Sequence, residues 1–140
     1  MTDSHDKPHA KPHVEHRNVD GLPTPRGHYS HIAIGQGLVF VSGQLPVDAE
    51  GAPRADLPFA EQATLVLRNV ATALGGAGCD WHDVLKVTVY VAGIEHWKSF
   101  DEAYRRVVGT AKPARAVVPV PELHYGVLVE IEVVAAQKAG

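Results

Sequence analysis

Three charged residues near the C-terminal end could do chemistry together: Arg115 in "KPARAVVPV", and Glu130 and Glu132 in "VLVEIEVVA". Arg115 stands at the mouth of a β-branched run, on the side of a pleated strand that Val117 shares. A guanidinium is costly to bury unless an anion meets it. Its planar fork suits a carboxylate, either one of the two glutamates or the acid group of a ligand. Glu130 and Glu132 alternate with Ile131 and so share one sheet face. Both can be solvated acids, or one can sit in a cleft where desolvation raises its pKa and suits it to proton transfer. Periodicity leaves both pairs of alternatives open.

Other reactive side chains are scattered. Ser42 ends a strand in "VSGQ", where its hydroxyl either contacts a ligand or finishes a turn. His28 and His31 read as surface or capping histidines, and Cys79, the single cysteine, as a small buried filler. One cysteine excludes an intrachain disulfide framework and a multi-cysteine metal site. "GGAG" at 75–78 ends a helix and does not follow a strand, so it is no phosphate loop. Four of the nine histidines fall in the first 17 residues, with His5, His9 and His13 spaced i, i+4. Pro8 and Pro12 forbid the helix that would align them. Residues 1–16 are therefore expected to form a flexible His-rich tail without a metal site, followed by a single domain over 17–140.

The elements that must position Arg115 and the glutamates follow from periodicity. "GHYSHIAIGQGLVFVSGQLPV" predicts strands over Ser30–Ile34 and Leu38–Ser42 around a Gly35-Gln36-Gly37 turn. Phe59, Ala63, Val66, Leu67, Val70 and Leu74 recur at helical spacing until Gly75-Gly76. "VLKVTVYV" over 84–91 is a strand, and Trp97, Phe100, Tyr104, Val107 and Val108 mark one face of a second helix closed by Gly109. "ARAVVPV" and "VLVEIEVVAA" complete the set, with Pro119 predicting an edge or a bulge. The order ββ-α-β-α-ββ predicts an α+β fold, a mixed β-sheet with two helices packed on one face. Strands this apolar leave a second sheet face that calls for a partner subunit.

Composition narrows the partners. Thirteen basic against sixteen acidic residues, net −3, provide no basic field for nucleic acid. No apolar run reaches the length of a membrane span, and the first residues lack a signal-peptide core, so the expected location is cytoplasmic.

Six segments occur in an order and spacing that resemble one family: "GHYS", "VSGQLPVD", "Q…VLRNV…L…AG", "VLKVTVYV", "PARAVV" and "VEIEVVA". From about residue 17 to 136 the chain resembles the reactive intermediate deaminases, the Rid or YjgF-like family. The resemblance implies a chorismate-mutase-like two-layer sandwich that forms a homotrimer with clefts between subunits. It also implies cofactor-independent hydrolysis of 2-imino acids such as 2-iminobutanoate and 2-iminopropanoate, or their enamine tautomers, to 2-oxo acids and ammonia. Arg115 then matches the arginine that grips the substrate carboxylate, and Glu130 the acid beside the attacking water and leaving ammonia. Tyr29, Ser42 and Gly43 match pocket-lining residues, and Val117 and His124 stand at further substrate-facing positions. The chain departs from the family's pattern in four places: His28 replaces a proline, Asp101 an asparagine, Val117 a cysteine, and "LHY" over 123–125 stands where "LP" is usual. The alternative is a non-catalytic trimer that binds 2-oxo acids. Arg115 serves both readings, whereas turnover alone requires a correctly placed Glu130.

Overall fold

Alternating and 3.6-residue apolar patterns fold where the sequence predicts them in the computed structural model, which describes residues 13–139. The strands are β1 Glu15–Arg17, β2 Ile32–Gly35, β3 Leu38–Gln44, β4 Val84–Val91, β5 Ala114–Pro119 and β6 Val129–Ala136. The helices are α1 Phe59–Gly75 and α2 Trp97–Val108. The strands form one sheet in the order β1-β2-β3-β6-β4-β5. All neighbours are antiparallel except β4 and β5, whose parallel pairing requires the crossover that α2 provides. The hairpin between β2 and β3 turns on Gln36 and Gly37, both at positive φ (55° and 75°), the backbone of a tight two-residue turn.

Both helices cover one face of the sheet. The apolar stripe of α1 predicted from sequence is buried throughout. Beneath the helices lie Val87, Val89 and Val91 of β4 and Val129 and Ile131 of β6, none of them solvent-exposed. Each such side chain contributes about 1.5–3 kcal/mol on burial. Alternation sends Thr88, Tyr90, Glu130 and Glu132 to the other face, where Tyr90 stands opposite Glu130 and Thr88 opposite Glu132. Phe40 and Val134, paired across β3 and β6, share that face, and Phe40 is exposed.

Two details differ from the sequence expectation, at β1 and at Trp97, and Pro119 meets it. Strand β1 begins at Glu15, inside the segment expected to be tail, and pairs Glu15, His16 and Arg17 with β2. A three-residue polar strand has no readable period, and an edge position tolerates charge because only one side joins the ladder. Arg17 anchors it by donating to the Gly76 carbonyl at 2.6 Å. His13 is exposed, and the rest of the His5–His9–His13 pattern lies outside the described residues. On α2, Trp97 is exposed, although it was placed on the apolar face. The place over Phe59 is taken by His96, whose ring stacks on it at 4.3 Å. Pro119 ends β5, the edge strand, which suits a residue with no N–H to give. No helix among the described residues is long and apolar enough to cross a membrane.

Candidate functional site

A cleft of about 510 Å³ opens beside the end of β3, walled by the Leu22–Tyr29 segment, Ser42 and Gly43, His124 and Tyr125, and Glu130. Polar side chains of α1 hold its floor in shape. Asn69 donates to the Leu45 and Val47 carbonyls, both at 3.0 Å. Gln62, fully buried, donates to the Leu57 carbonyl at 2.9 Å and accepts from the Leu128 N–H at 2.9 Å, just ahead of β6. These two residues interrupt the apolar pattern of α1 seven positions apart, on one helix face. That interruption is the signal by which the sequence could have disclosed them.

His31 is a correction to the surface reading. It is buried, its Nδ1 accepts from the Val19 N–H at 2.8 Å, and its Nε2 meets the Pro23 carbonyl at 2.7 Å. Since Nδ1 accepts, the proton resides on Nε2, which donates to Pro23. This fixed ring ties the cleft wall to β2. His28 is exposed, as expected. Cys79 is buried, as expected, and burial pushes its thiol pKa up.

Of the seven site residues expected from the sequence, five converge on the cleft, Tyr29, Ser42, Gly43, His124 and Glu130, and His31 and Tyr125 line it as well. The Ser42 hydroxyl donates to the Ser30 carbonyl at 2.6 Å, so its proton closes a turn while its lone pairs can still accept. Gly43 stands where β3 bulges against β6, between Val41 and Gln44. A Cβ there would overlap the Glu130 carboxylate, so only glycine lets the acid lie against the strand.

The two glutamates separate cleanly. Glu132 is exposed and accepts the Tyr90 hydroxyl at 2.6 Å. Glu130 makes no side-chain hydrogen bond with the described residues and is half-buried. Burial raises its pKa above the ordinary 4.5, and the Glu132 charge adds to the rise, while His124 opposes it. Glu130 is therefore the acid in the cleft, and Glu132 the solvated one.

Arg115 and Val117 lie elsewhere. They pair in register with Val87 and Val89, which face the helices, whereas Glu130 pairs with Tyr90 on the open face. Within one chain the arginine and the catalytic-acid candidate thus occupy opposite faces of the sheet. The anion meeting Arg115 is neither glutamate: its Nη1 donates to Asp101 of α2 at 2.8 Å. The guanidinium lies 4.8 Å above the Tyr104 ring and 5.9 Å from that of Phe100, an aromatic seat that favours a planar cation. Asp101 also receives Arg105 at 3.0 Å, and hydrogen bonds from both arginines hold its pKa below the usual carboxylate value. Asp101 uses Nη1, which leaves the other nitrogens of the Arg115 fork to receive a second anion.

The fold is a two-layer α+β domain in which the described residues leave one sheet face uncovered. Residues 21–137 match the family described as Endoribonuclease L-PSP. The 2-iminobutanoate/2-iminopropanoate deaminase of Homo sapiens is 34% identical over 115 residues, covering 82% of this chain and 84% of its own. A RutC family protein of Pyrococcus horikoshii is 34% identical over 117 residues, covering 84% of this chain and 93% of its own. The crystal structure of RidA from the Antarctic bacterium Psychrobacter superposes with a TM-score of 0.79 at 30% identity, over 86% of this chain and 98% of that one. The chain belongs to this family, the Rid or YjgF-like proteins, and has its fold.

Proposed function

We propose that the protein is a cofactor-independent deaminase that hydrolyses 2-imino acids, or their enamine tautomers, to 2-oxo acids and ammonia. The observation that carries this reading is Glu130: a half-buried carboxyl with a raised pKa, lying against Gly43 and facing an open cleft. An iminium carbon is already electrophilic, so the reaction needs positioning and proton transfer more than a strong nucleophile. Water adds to the imine carbon, and Glu130 takes its proton. The acid then returns a proton to nitrogen. The C–N bond breaks as the new hydroxyl gives its proton back to the Glu130 carboxylate and becomes the C=O. Ammonia leaves, carrying off a proton from Glu130 as ammonium when the substrate entered as the iminium. The human relative's name, 2-iminobutanoate/2-iminopropanoate deaminase, supports the substrate class. A net charge of −3 speaks against RNA as substrate, despite the family's description.

The working site combines two copies of the chain. One contributes Glu130, Tyr29, Ser42, Gly43 and His124, and a neighbour brings the carboxylate fork of Arg115 together with Val117. Opposite faces of one sheet support this division, as does the uncovered apolar surface around Phe40 and Val134. A homotrimer closes three such sites. Light scattering at micromolar concentration should then give about three times the chain mass of 15.0 kDa. For activity, imines are generated from neutral amino acids with an amino-acid oxidase and trapped with semicarbazide. The protein should suppress the trapped product catalytically. Binding of 2-oxobutanoate with no suppression would instead make it a metabolite-binding trimer.

A further inference from the structure

The cleft holds a cation that imine hydrolysis as such does not use. Arg26 lines the same cavity as Glu130, donates one N–H to the Gly51 carbonyl, and rests its guanidinium 5.2 Å from the Tyr125 ring centre. That bond uses one of the five N–H donors of the guanidinium, and Arg26 is exposed, so the others are open to the cavity or to solvent. No ion pair among the described residues engages it; Arg68 and Arg106 are also without one, but they do not line the cleft, whereas Arg17, Arg54, Arg105 and Arg115 each have a carboxylate partner. Tyr125, whose ring forms the seat, has a left-handed backbone (φ 60°, ψ 16°) that a tyrosine rarely adopts. Such a conformation is retained where the surroundings hold a side chain in a required place. Arg26 is thus oriented from two sides and, among the described residues, left without an anion.

With Arg115 of a neighbouring copy holding the acid group next to the imine carbon, Arg26 offers a second anion site across the cavity.

We infer that Arg26 is a specificity-determining residue that binds a distal carboxylate, making 2-imino dicarboxylates, the imines of acidic amino acids, the preferred substrate class. This rests on the imine-hydrolase reading. The reaction is unchanged: water adds, ammonia leaves, and a 2-oxo dicarboxylate forms. Arg26 takes no proton and serves only to position the substrate.

The test compares kcat/KM for imines made enzymatically from acidic amino acids with that for imines made from 2-aminobutanoate. The wild-type ratio should exceed one. It should fall about 10- to 100-fold in Arg26→Gln, the range for loss of a hydrogen-bonded charge, and return in part in Arg26→Lys. Melting temperature monitors folding of each variant. A wild-type preference for the monocarboxylate, or a ratio unmoved in both variants, overturns the inference. An equal fall for both substrates also overturns it, because Arg26 would then hold the carboxylate common to both. Calorimetry with 2-oxoglutarate and 2-oxobutanoate decides the matter without turnover. If no imine is hydrolysed, the functional reading fails, while a 2-oxoglutarate preference lost in Arg26→Gln still upholds the distal site.

Discussion

Glu130 and Arg115 are held in opposite ways, and the contrast suits each to the role proposed for it. Glu130 sits on the open face, half-buried, without a hydrogen-bonding partner among the described residues, its charge penalised by burial. Arg115 sits at the sheet edge on the helix side, bonded to Asp101 and seated on Tyr104. A group that must gain and lose a proton is useful when its charged and neutral forms are close in free energy, which burial without a partner achieves for a carboxyl. A group that must only hold a carboxylate is useful when it is permanently charged and pre-oriented, which an ion pair and an aromatic face achieve for a guanidinium.

The contrast breaks most visibly at Glu130. Glu130→Gln keeps the shape and removes the exchangeable proton, so kcat should fall by about 10²–10⁴ while 2-oxobutanoate binding measured by calorimetry changes little. Full activity in that variant would remove Glu130 from the mechanism. Arg115→Ala should weaken ligand binding and turnover together, by about 30-fold or more. Arg115→Lys should rescue poorly, since a point charge does not replace a planar fork. The two variants together test the division between copies. Glu130→Gln and Arg115→Ala chains, unfolded and refolded as a mixture, should regain imine hydrolysis, because about a quarter of the sites in random trimers draw an intact residue from each. A site contained within one chain would stay inactive in the mixture.

Smaller effects sharpen the same contrast. Gly43→Ala pushes a methyl into the Glu130 carboxylate and should lower kcat about tenfold through misplacement, with KM little affected. Asp101→Asn keeps an oxygen for Arg115 and withdraws the resident negative charge that competes with a substrate carboxylate. KM should fall by no more than about fivefold, in keeping with about 0.2–1 kcal/mol for a partly exposed pair. The smallest expected effect is thermal. A carboxyl whose folded pKa is raised favours folding below its ordinary value of 4.5, and that advantage is lost as pH rises through the folded value. Glu130→Gln lacks this loss, so its melting temperature relative to wild type should increase by a few degrees at most between about pH 4 and pH 8. A constant difference across that range would mean that Glu130 ionises as freely in the fold as outside it.

Much of this protein was legible in its sequence. The stripe from Phe59 to Leu74, the alternation of "VLKVTVYV" and the glycine turn before Leu38 each report local periodicity, and local periodicity selects helix, strand and hairpin. Alternation also put Glu130 and Glu132 on one face, and the ordered segments disclosed the family. Tertiary structure decided what depends on neighbours distant in the chain. It gave Tyr90 to Glu132 and left Glu130 unpaired, and it chose Asp101 as the partner of Arg115. It buried His31 between Val19 and Pro23, and it brought Arg26 over Tyr125. The physical reason is one of range: a strand's two faces are set by its own period, whereas a side chain's charge state and partner are set by whatever the fold packs beside it.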